Sequence, residues 1–249
     1  TISRRQRQMC IRDSFKTLHD PKTKSDYKLF MALYIVATPI GNPQDISLQA
    51  LEILKRVEIV IGEEPKACKR LLSSLQLGRK ELYFINEHSK AEDTAELIEL
   101  IKKQDVALIS DCGTPGFCDP GHLVIKAARE KNLKINVAPG ASSLMYLLSL
   151  SSQRIDEFYF LGFPPAKTEM REKKWRELAG FKFPICFLET PYRLEKTLND
   201  LKKHFSKRKI LIGLNLSQEG EKVFEGLAKN IPKDFFGKKA EPIILIYEK

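Results

Sequence analysis

The sequence predicts an α/β protein of two domains, with a parallel sheet in the N-terminal domain and a mixed sheet in the C-terminal domain. In the first half, short and almost continuous apolar runs alternate with amphipathic helical patterns, which is typical of parallel strands buried on both faces. In the second half, further strand-like runs alternate with helices, and a hairpin-like segment precedes the last run. The 249 residues, 43% of them hydrophobic, are enough to bury such a core.

The N-terminal domain is expected to span residues 31–142. Ser47 can cap a first helix, a second is expected at 65–75, and residues 94–103 repeat leucine and isoleucine on one helical face. The apolar runs that predict strands lie at 33–38, 57–61, 82–85, 106–110 and 134–137.

The C-terminal domain is expected to span residues 143–249, with the connection near 140–152. Trp175 is expected to pack inside this domain. A hairpin or short strand is expected at 219–226. The other predicted elements are strands at 158–163, 185–189, 210–216 and 242–247 and helices at about 168–179 and 191–205.

Residues 1–30 show neither helical nor strand periodicity, and they contain eight basic and three acidic residues. We expect this segment to be a disordered or artefactual extension, because residues 5–14 look like translated adapter sequence, and Met31 then stands as the natural start. A basic RNA-binding arm is the alternative interpretation.

The composition excludes several classes of protein. The formal net charge of +10 is compatible with RNA binding without being specific for it. No apolar run approaches the ~20 residues that cross a bilayer, and the five scattered cysteines are typical of reduced thiols, so we expect a cytoplasmic protein without a membrane partner. Neither a P-loop nor a dinucleotide-binding glycine motif is present.

Three loops rich in glycine and proline directly follow predicted strands, at residues 37–43, 110–121 and 138–143. In an open parallel sheet, the carboxyl ends of the strands meet at one edge, where ligands bind. The three loops together therefore predict a ligand site. Asp111 and Asp119 lie in these loops, where Asp commonly bonds its own backbone, so we expect them to shape the loop and expect no metal.

Several motifs in these loops have a recognisable pattern. They are Leu33-Tyr-Ile-Val-Ala-Thr-Pro-Ile-Gly-Asn42, Ser110-Asp-Cys-Gly-Thr-Pro115, Asp119-Pro-Gly121, Pro139-Gly140, Glu87-His88, Gly162-Phe-Pro-Pro165 and Phe187-Leu-Glu-Thr-Pro-Tyr-Arg193. In this order and spacing the sequence resembles the tetrapyrrole methylase superfamily, and within it the enzymes that methylate a cytidine ribose 2′-hydroxyl in small-subunit ribosomal RNA. The resemblance implies a homodimer that binds S-adenosylmethionine in a cleft between its two domains and acts on ribosomal RNA or the small subunit.

The resemblance also implies which residues contact the cofactor. The implied positions are Pro39, Cys112, Gly113, Thr114, Phe117, Ser142, Ser143, Glu189 and Leu216. Small side chains and exposed backbone amides there suit a ligand that needs hydrogen bonds at close range.

A ribose hydroxyl must lose a proton when it is methylated, and three residues are candidate bases. Glu63 and Glu64 follow a predicted strand at the same edge, and His88 follows another. The alternative roles are structural: the two glutamates can favour the first turn of the next helix, and His88 can be an ordinary surface histidine.

The candidate contacts to RNA phosphate are Lys66, Lys167 and Arg171, whereas the basic run 202–209 is more typical of a solvated helix end. Residues 63–66 read Glu-Glu-Pro-Lys where the resembling enzymes have Glu-Asp-Thr-Arg, so a carboxylate and a cation are kept. Two alternatives stay open. One is a methyltransferase for a tetrapyrrole or another small acceptor, and the other is a non-catalytic member of the fold that binds cofactor or RNA.

Overall fold

The computed structural model describes residues 31–237 and 239–249, so the predictions for residues 1–30 lie outside the described residues. Two five-stranded sheets organise this part of the chain. The first contains β1 (Ala32–Val36), β2 (Ile59–Gly62), β3 (Glu81–Phe84), β4 (Val106–Leu108) and β5 (Lys134–Ala138). All its pairings are parallel, in the order β3-β2-β4-β1-β5, which confirms the predicted parallel sheet.

Four helices cover the two faces of this sheet. They are α1 (Leu48–Arg56), α2 (Pro65–Ser74), α3 (Thr94–Ile101) and α4 (His122–Glu130). On β4, Val106 and Leu108 pack in the core under α3 and α4, whereas Ala107 packs in the core under α1 and α2. This alternation follows from the two-residue period of a strand, and it explains why the central strands are apolar throughout.

The second sheet contains β6 (Tyr159–Phe160), β7 (Ile185–Leu188), β8 (Lys209–Leu214), β9 (Lys222–Leu227) and β10 (Pro242–Ile246). Its order is β6-β7-β10-β8-β9, and only the β6–β7 pair is parallel, which confirms the predicted mixed sheet. The helices α6 (Thr168–Ala179) and α7 (Leu194–His204) cover one face, and α5 (Ser143–Ser149) lies on the other. Trp175 is buried between α6, α7 and the sheet, as predicted.

Several predicted boundaries differ from the structure for local reasons. The second strand begins at Ile59 because Val57 ends α1, donating its N–H to the carbonyl of Ile53 at 3.0 Å. The run 158–163 forms a strand of only two residues before Gly162, which has φ +71°. β8 ends at Leu214 because the next residue turns into the left-handed region, and the expected connection at 140–152 contains a helix.

A bilayer is about 30 Å thick in its hydrocarbon core and requires a long apolar helix to cross it. None of the helices within residues 31–237 and 239–249 has the length and apolar character to span a membrane.

Candidate active site

The loops after β1 and β4 are bonded together at the carboxyl edge of the first sheet. The N–H of Thr38 donates to the carbonyl of Gly113 at 2.8 Å, and the buried Thr38 hydroxyl lies 3.3 Å from the carbonyls of Ser110 and Gly113. Gly113 has φ +81°, a conformation that L side chains rarely adopt. The turn therefore depends on glycine at this position, and it presents backbone rather than side chain to the space above it.

Asp119 fixes the remainder of the long loop after β4. Its carboxylate accepts hydrogen bonds from the N–H groups of Gly116 and Gly121, both at 2.8 Å. This is the loop-shaping role that the sequence predicts for it. The loop then carries Phe117 across to the second half of the chain, where its ring lies 4.9 Å from that of Phe160.

The second half of the chain closes over this edge. A side chain at Gly41 would place its Cβ 2.3 Å from the carbonyl oxygen of Ser217, so only glycine allows the two halves to approach this closely. Gln218 bridges them further, because its Nε2 donates to the carbonyl of Ile40 and to the carboxylate of Glu241, both at 3.0 Å. The result is a cleft of about 630 Å³ between the two sheets.

The cleft gathers most of the residues that the resemblance implies for the cofactor. Pro39 is buried beside the cleft and is not part of its lining. The other eight, together with Glu63, line it: Cys112, Gly113, Thr114, Phe117, Ser142, Ser143, Glu189 and Leu216.

Further lining residues were not singled out by the sequence. Phe163 and Pro191 belong to recognisable motifs and could have been found from them. Gln218 and Glu241 lie outside the helices and strands, in stretches without a distinctive pattern, and they reach the cleft only because the second sheet packs there.

The charge of the cleft is unusual. Its lining includes the carboxylates of Glu63, Asp111, Asp119, Glu189 and Glu241, whereas no Lys or Arg among residues 31–237 and 239–249 belongs to it. Glu189 is paired with Arg171 and Arg193, but in a partly water-excluded site the other carboxylates attract cations and repel phosphate more strongly than they do in water. The cleft therefore suits a positively charged ligand.

Glu63 is the candidate base that the structure places in the cleft. Its half-buried position, together with the carboxylates of Asp119 and Asp111, raises the pKa of Glu63 to about 7. Its Oε1 accepts a hydrogen bond from the N–H of Asp111 at 3.3 Å, which holds the side chain against the loop after β4. A carboxylate with a pKa near neutrality is well matched to accepting a proton at physiological pH.

The other two candidate bases lie outside the cleft lining. The carboxylate of Glu64 caps α2, accepting hydrogen bonds from the N–H groups of Lys66 at 3.1 Å and Ala67 at 2.7 Å. This is the structural alternative considered for it. His88 is exposed in a turn, where its N–H donates to the side chain of Asn86 at 2.9 Å. Cys112 is disfavoured as a base or nucleophile as well, because burial raises the pKa of its thiol to about 11.

Arg171, expected to contact RNA, is instead buried inside the second half, with a relative exposure of 1%. Its guanidinium donates to Asp200 at 2.7 Å, to Thr197 at 2.6 Å and to Glu189 at 3.0 Å. The expected phosphate contact is wrong for this residue, because a fully paired, buried guanidinium cannot reach a ligand in solvent. Arg193 lies 2.7 Å from the same Glu189 carboxylate, so that carboxylate is neutralised within the protein.

The remaining predicted cations are exposed. Lys66 lies in the first turn of α2, and Lys167 precedes α6. Most of the basic run 202–209 is used within the protein: Lys203 and His204 pair with Glu172. Arg208 bonds the carbonyl of Tyr247. This supports a structural role for the run.

The architecture defines a class of protein. Among solved structures it is similar to uroporphyrin-III-C-methyltransferase from Thermus thermophilus, with a TM-score of 0.59 and 19% identity over 87% of this chain and 94% of that one. It is also similar to the cobalamin biosynthetic enzyme cobalt precorrin-4 methyltransferase, with a TM-score of 0.64 and 14% identity over 87% and 95%. At these identities the likeness shows the fold, which is that of the tetrapyrrole methylases.

Sequence comparison gives the family directly. The profile of the tetrapyrrole (corrin/porphyrin) methylases matches residues 32–232. This chain belongs to that family, which confirms the resemblance seen in its motifs.

Curated relatives narrow the similarity further. The chain is 37% identical to ribosomal RNA small subunit methyltransferase I of Leptospira biflexa over 194 residues, which are 77% of this chain and 80% of the relative. It is 34% identical to the protein of the same name from Neisseria meningitidis serogroup B over 208 residues, 83% of this chain and 71% of the relative.

Proposed function

We propose that this protein transfers a methyl group from S-adenosylmethionine to the 2′-hydroxyl of a cytidine ribose in small-subunit ribosomal RNA. The site is the cleft between an N-terminal domain of residues 31–142 and a C-terminal domain of residues 143–249. Relatives that are named for this RNA support the substrate, at 34% to 37% identity over more than three quarters of the chain. The observation that carries the proposal is a cleft lined by carboxylates and a glycine turn, to which the described part of the chain contributes no basic residue.

The cleft fits S-adenosylmethionine in size and in charge. Its volume of about 630 Å³ is in the range of small-molecule sites. When bound, this cofactor supplies an electrophilic methyl group on a positively charged sulfur, which the carboxylates of the lining favour. The turn at Gly113 offers backbone at close range, and Thr114, Ser142 and Ser143 offer hydroxyl groups for the polar ends of the ligand.

Glu63 accepts the proton that the ribose hydroxyl loses. Its carboxylate lies in the cleft lining, and its raised pKa of about 7 leaves a substantial unprotonated fraction at physiological pH. The backbone N–H of Asp111 holds the side chain in place. General base catalysis of this kind contributes about 10² to 10⁴ in rate, and holding the acceptor in line with the methyl group contributes more.

Exposed side chains that lie within four residues of lining residues Glu63 and Phe163 position the RNA. Lys66 and Lys167 are exposed and carry the charge for phosphate contacts. Phe163 lines the cleft with 44% of its surface exposed, and an aromatic ring there can stack on a base that has left its helix.

We further propose a cytoplasmic homodimer. Three large apolar side chains between the end of β5 and the end of α5 are solvent-exposed in a single chain: Val137 at 51%, Met145 at 54% and Leu150 at 40%. Grouped apolar exposure of this kind is typical of a surface that a partner covers. A sedimentation measurement tests this, since a chain that stays monomeric at micromolar concentration contradicts it.

The experiment that tests the function is incubation of the protein with radiolabelled S-adenosylmethionine and either 30S subunits or a uroporphyrinogen. We expect label in the ribosomal RNA of the subunits and none in the tetrapyrrole. Label in the tetrapyrrole alone contradicts the proposed substrate. Cofactor binding by calorimetry without transfer to either acceptor contradicts the proposed activity.

A further inference from the structure

A second cavity, of about 770 Å³, lies outside the cleft at the edge of the first sheet. We call it the α2–β3 groove, because its walls are the C-terminal half of α2, the following turn and β3. Its lining includes Lys69 and Ser73 from α2, Arg79 and Lys80 from the turn, and Phe84 from β3.

The groove is basic, in contrast to the cleft. Within the described part of the chain, no acidic residue belongs to its lining. Lys80 is held in place, because its Nζ donates to the carbonyls of Lys55 at 3.0 Å and Val57 at 2.6 Å at the end of α1. Lys69 and Arg79 are exposed, and neither forms an ion pair with another residue in the described part of the chain. Their charges are therefore available to an anionic partner.

The acidic cleft creates a need for such a surface. Since no Lys or Arg of residues 31–237 or 239–249 lines the cleft, the phosphates on either side of a target nucleotide must be contacted by cations outside the lining, such as Lys66 and Lys167. Helix α2 links the cleft to the groove: it begins at Pro65, two residues after Glu63, and ends at the groove, a distance of roughly 15 Å at 1.5 Å per residue. Lys66 and Arg70 are exposed along the way, so basic side chains continue from one site to the other.

An aromatic ring completes the groove. Phe84 is 37% exposed at the end of the edge strand β3, and Leu82 lines the groove from the same face of that strand. A positively charged groove that also presents an aromatic ring is the arrangement that binds single-stranded nucleic acid, because the cations contact the backbone and the ring stacks on a base.

We propose that the α2–β3 groove binds a single-stranded segment of the RNA substrate adjacent to the target nucleotide. Lys69 and Arg79 contact its phosphates, and Phe84 stacks on one of its bases. This inference rests on the proposed RNA substrate and deepens it, because it states where the flanking strand lies and in which conformation.

The first test removes the two charges. In the double variant Lys69→Gln/Arg79→Gln, we expect KM for 30S subunits to rise roughly 2- to 30-fold, at the strength of two exposed ion pairs, with kcat and cofactor affinity unchanged. The slope of log KM against the logarithm of the salt concentration should fall by about 1.4, because each lost phosphate contact with a single strand lowers this slope by about 0.7. The matched control is Arg129→Gln/Lys131→Gln, which removes the same charge at the opposite edge of the sheet, where α4 leads into β5.

The second test removes the ring. Phe84→Ala should weaken RNA binding roughly 5- to 150-fold, the equivalent of about 1 to 3 kcal/mol for one base stacked on an aromatic side chain. Phe84→Tyr should restore binding because it keeps the ring, whereas Phe84→Leu should not, although it keeps an apolar side chain of similar volume.

Each outcome decides for or against the groove. Equal losses in the groove and control variants, or no loss in either, overturn the proposal. If the groove variants raise KM for subunits but bind deproteinised RNA in filter assays as the parent does, the groove contacts a ribosomal protein and the proposal is overturned. If the parent methylates no RNA, the proposed function fails separately. Filter binding of a single-stranded RNA oligomer then still tests the groove as an RNA site. A weaker salt dependence of binding in the groove variant supports the proposal, and no binding by the parent overturns it.

Discussion

Replacing Glu63 by Gln tests the proposed chemistry at a single atom. Glutamine keeps the size of the side chain and one oxygen that can accept the hydrogen bond from the N–H of Asp111, which is 3.3 Å from Oε1. It removes the ability to accept a proton. The variant should therefore bind S-adenosylmethionine as the parent does, while methyl transfer slows by about 10² to 10⁴, the usual contribution of a general base.

The pH dependence gives a sharper signature. The pKa of Glu63 is raised from an ordinary 4.5 to about 7, so the active carboxylate form increases as pH rises through about 7. The parent should show half its maximal kcat near that pH, and the Gln variant should lose this limb of the profile. Single-turnover transfer to 30S subunits between pH 5.5 and 8.5 measures both.

The same pKa predicts a change in stability of defined sign. Between pH 4.5 and about 7, the native state keeps the Glu63 proton after the unfolded chain has lost it, so the contribution of Glu63 to the free energy of unfolding falls as pH rises. The group is only half buried, so solvent screening reduces the effect to roughly 1 to 2 kcal/mol. Relative to the parent, Glu63→Gln should gain that amount between pH 4.5 and 7 in urea titrations.

Glu64→Gln is the matched control, because it makes the same change at the neighbouring residue, whose carboxylate caps α2. It should lower stability by less than about 1 kcal/mol and leave the pH profile of transfer unchanged. A Glu63→Gln rate within twofold of the parent, or a parent profile that is flat between pH 6 and 8, would refute the assignment of the base.

Three further substitutions test the architecture. Gly113→Arg should abolish cofactor binding in calorimetry with the far-ultraviolet circular dichroism spectrum retained, and unchanged affinity would show that the pocket is misplaced. Gly41→Ala places a Cβ 2.3 Å from the carbonyl oxygen of Ser217, so it should lower the free energy of unfolding in urea by about 1 to 3 kcal/mol and weaken cofactor binding. Unchanged stability and affinity would show that this contact does not help to close the cleft. Arg171→Met removes the buried guanidinium that pairs with Asp200 and Glu189, although Glu189 keeps Arg193, and it should cost about 3 to 5 kcal/mol. A loss of RNA affinity at full stability would instead indicate that Arg171 contacts the substrate.

Much of the fold could be read from the sequence because its signals are local. The central strands of the first sheet are buried on both faces, so they appear as continuous apolar runs. The side chain of Ser47 accepts from the N–H of Ala50 at 3.1 Å, which confirms the predicted cap of α1. Helices α4 and α5 were not predicted, because each begins directly after a loop whose glycine and proline residues indicate a turn rather than the start of a helix.

Two features of the candidate site could not be predicted from the sequence, because both depend on tertiary contacts. Sequence alone could not separate Glu63 from Glu64: one lies against the loop after β4, and the other caps a helix. Nor could it show that Arg171 is buried, because α6 is charged along most of its length and the side chains that accept from the guanidinium lie 18 to 29 residues away.

The central claim is most directly tested by mass spectrometry of ribosomal RNA nucleosides after 30S subunits are incubated with the protein and S-adenosylmethionine. The proposed function predicts one new 2′-O-methylcytidine per subunit, and its absence when Glu63→Gln protein is used for the same short time. A methyl group found on a base, or no new methylated nucleoside with the parent protein, would contradict it.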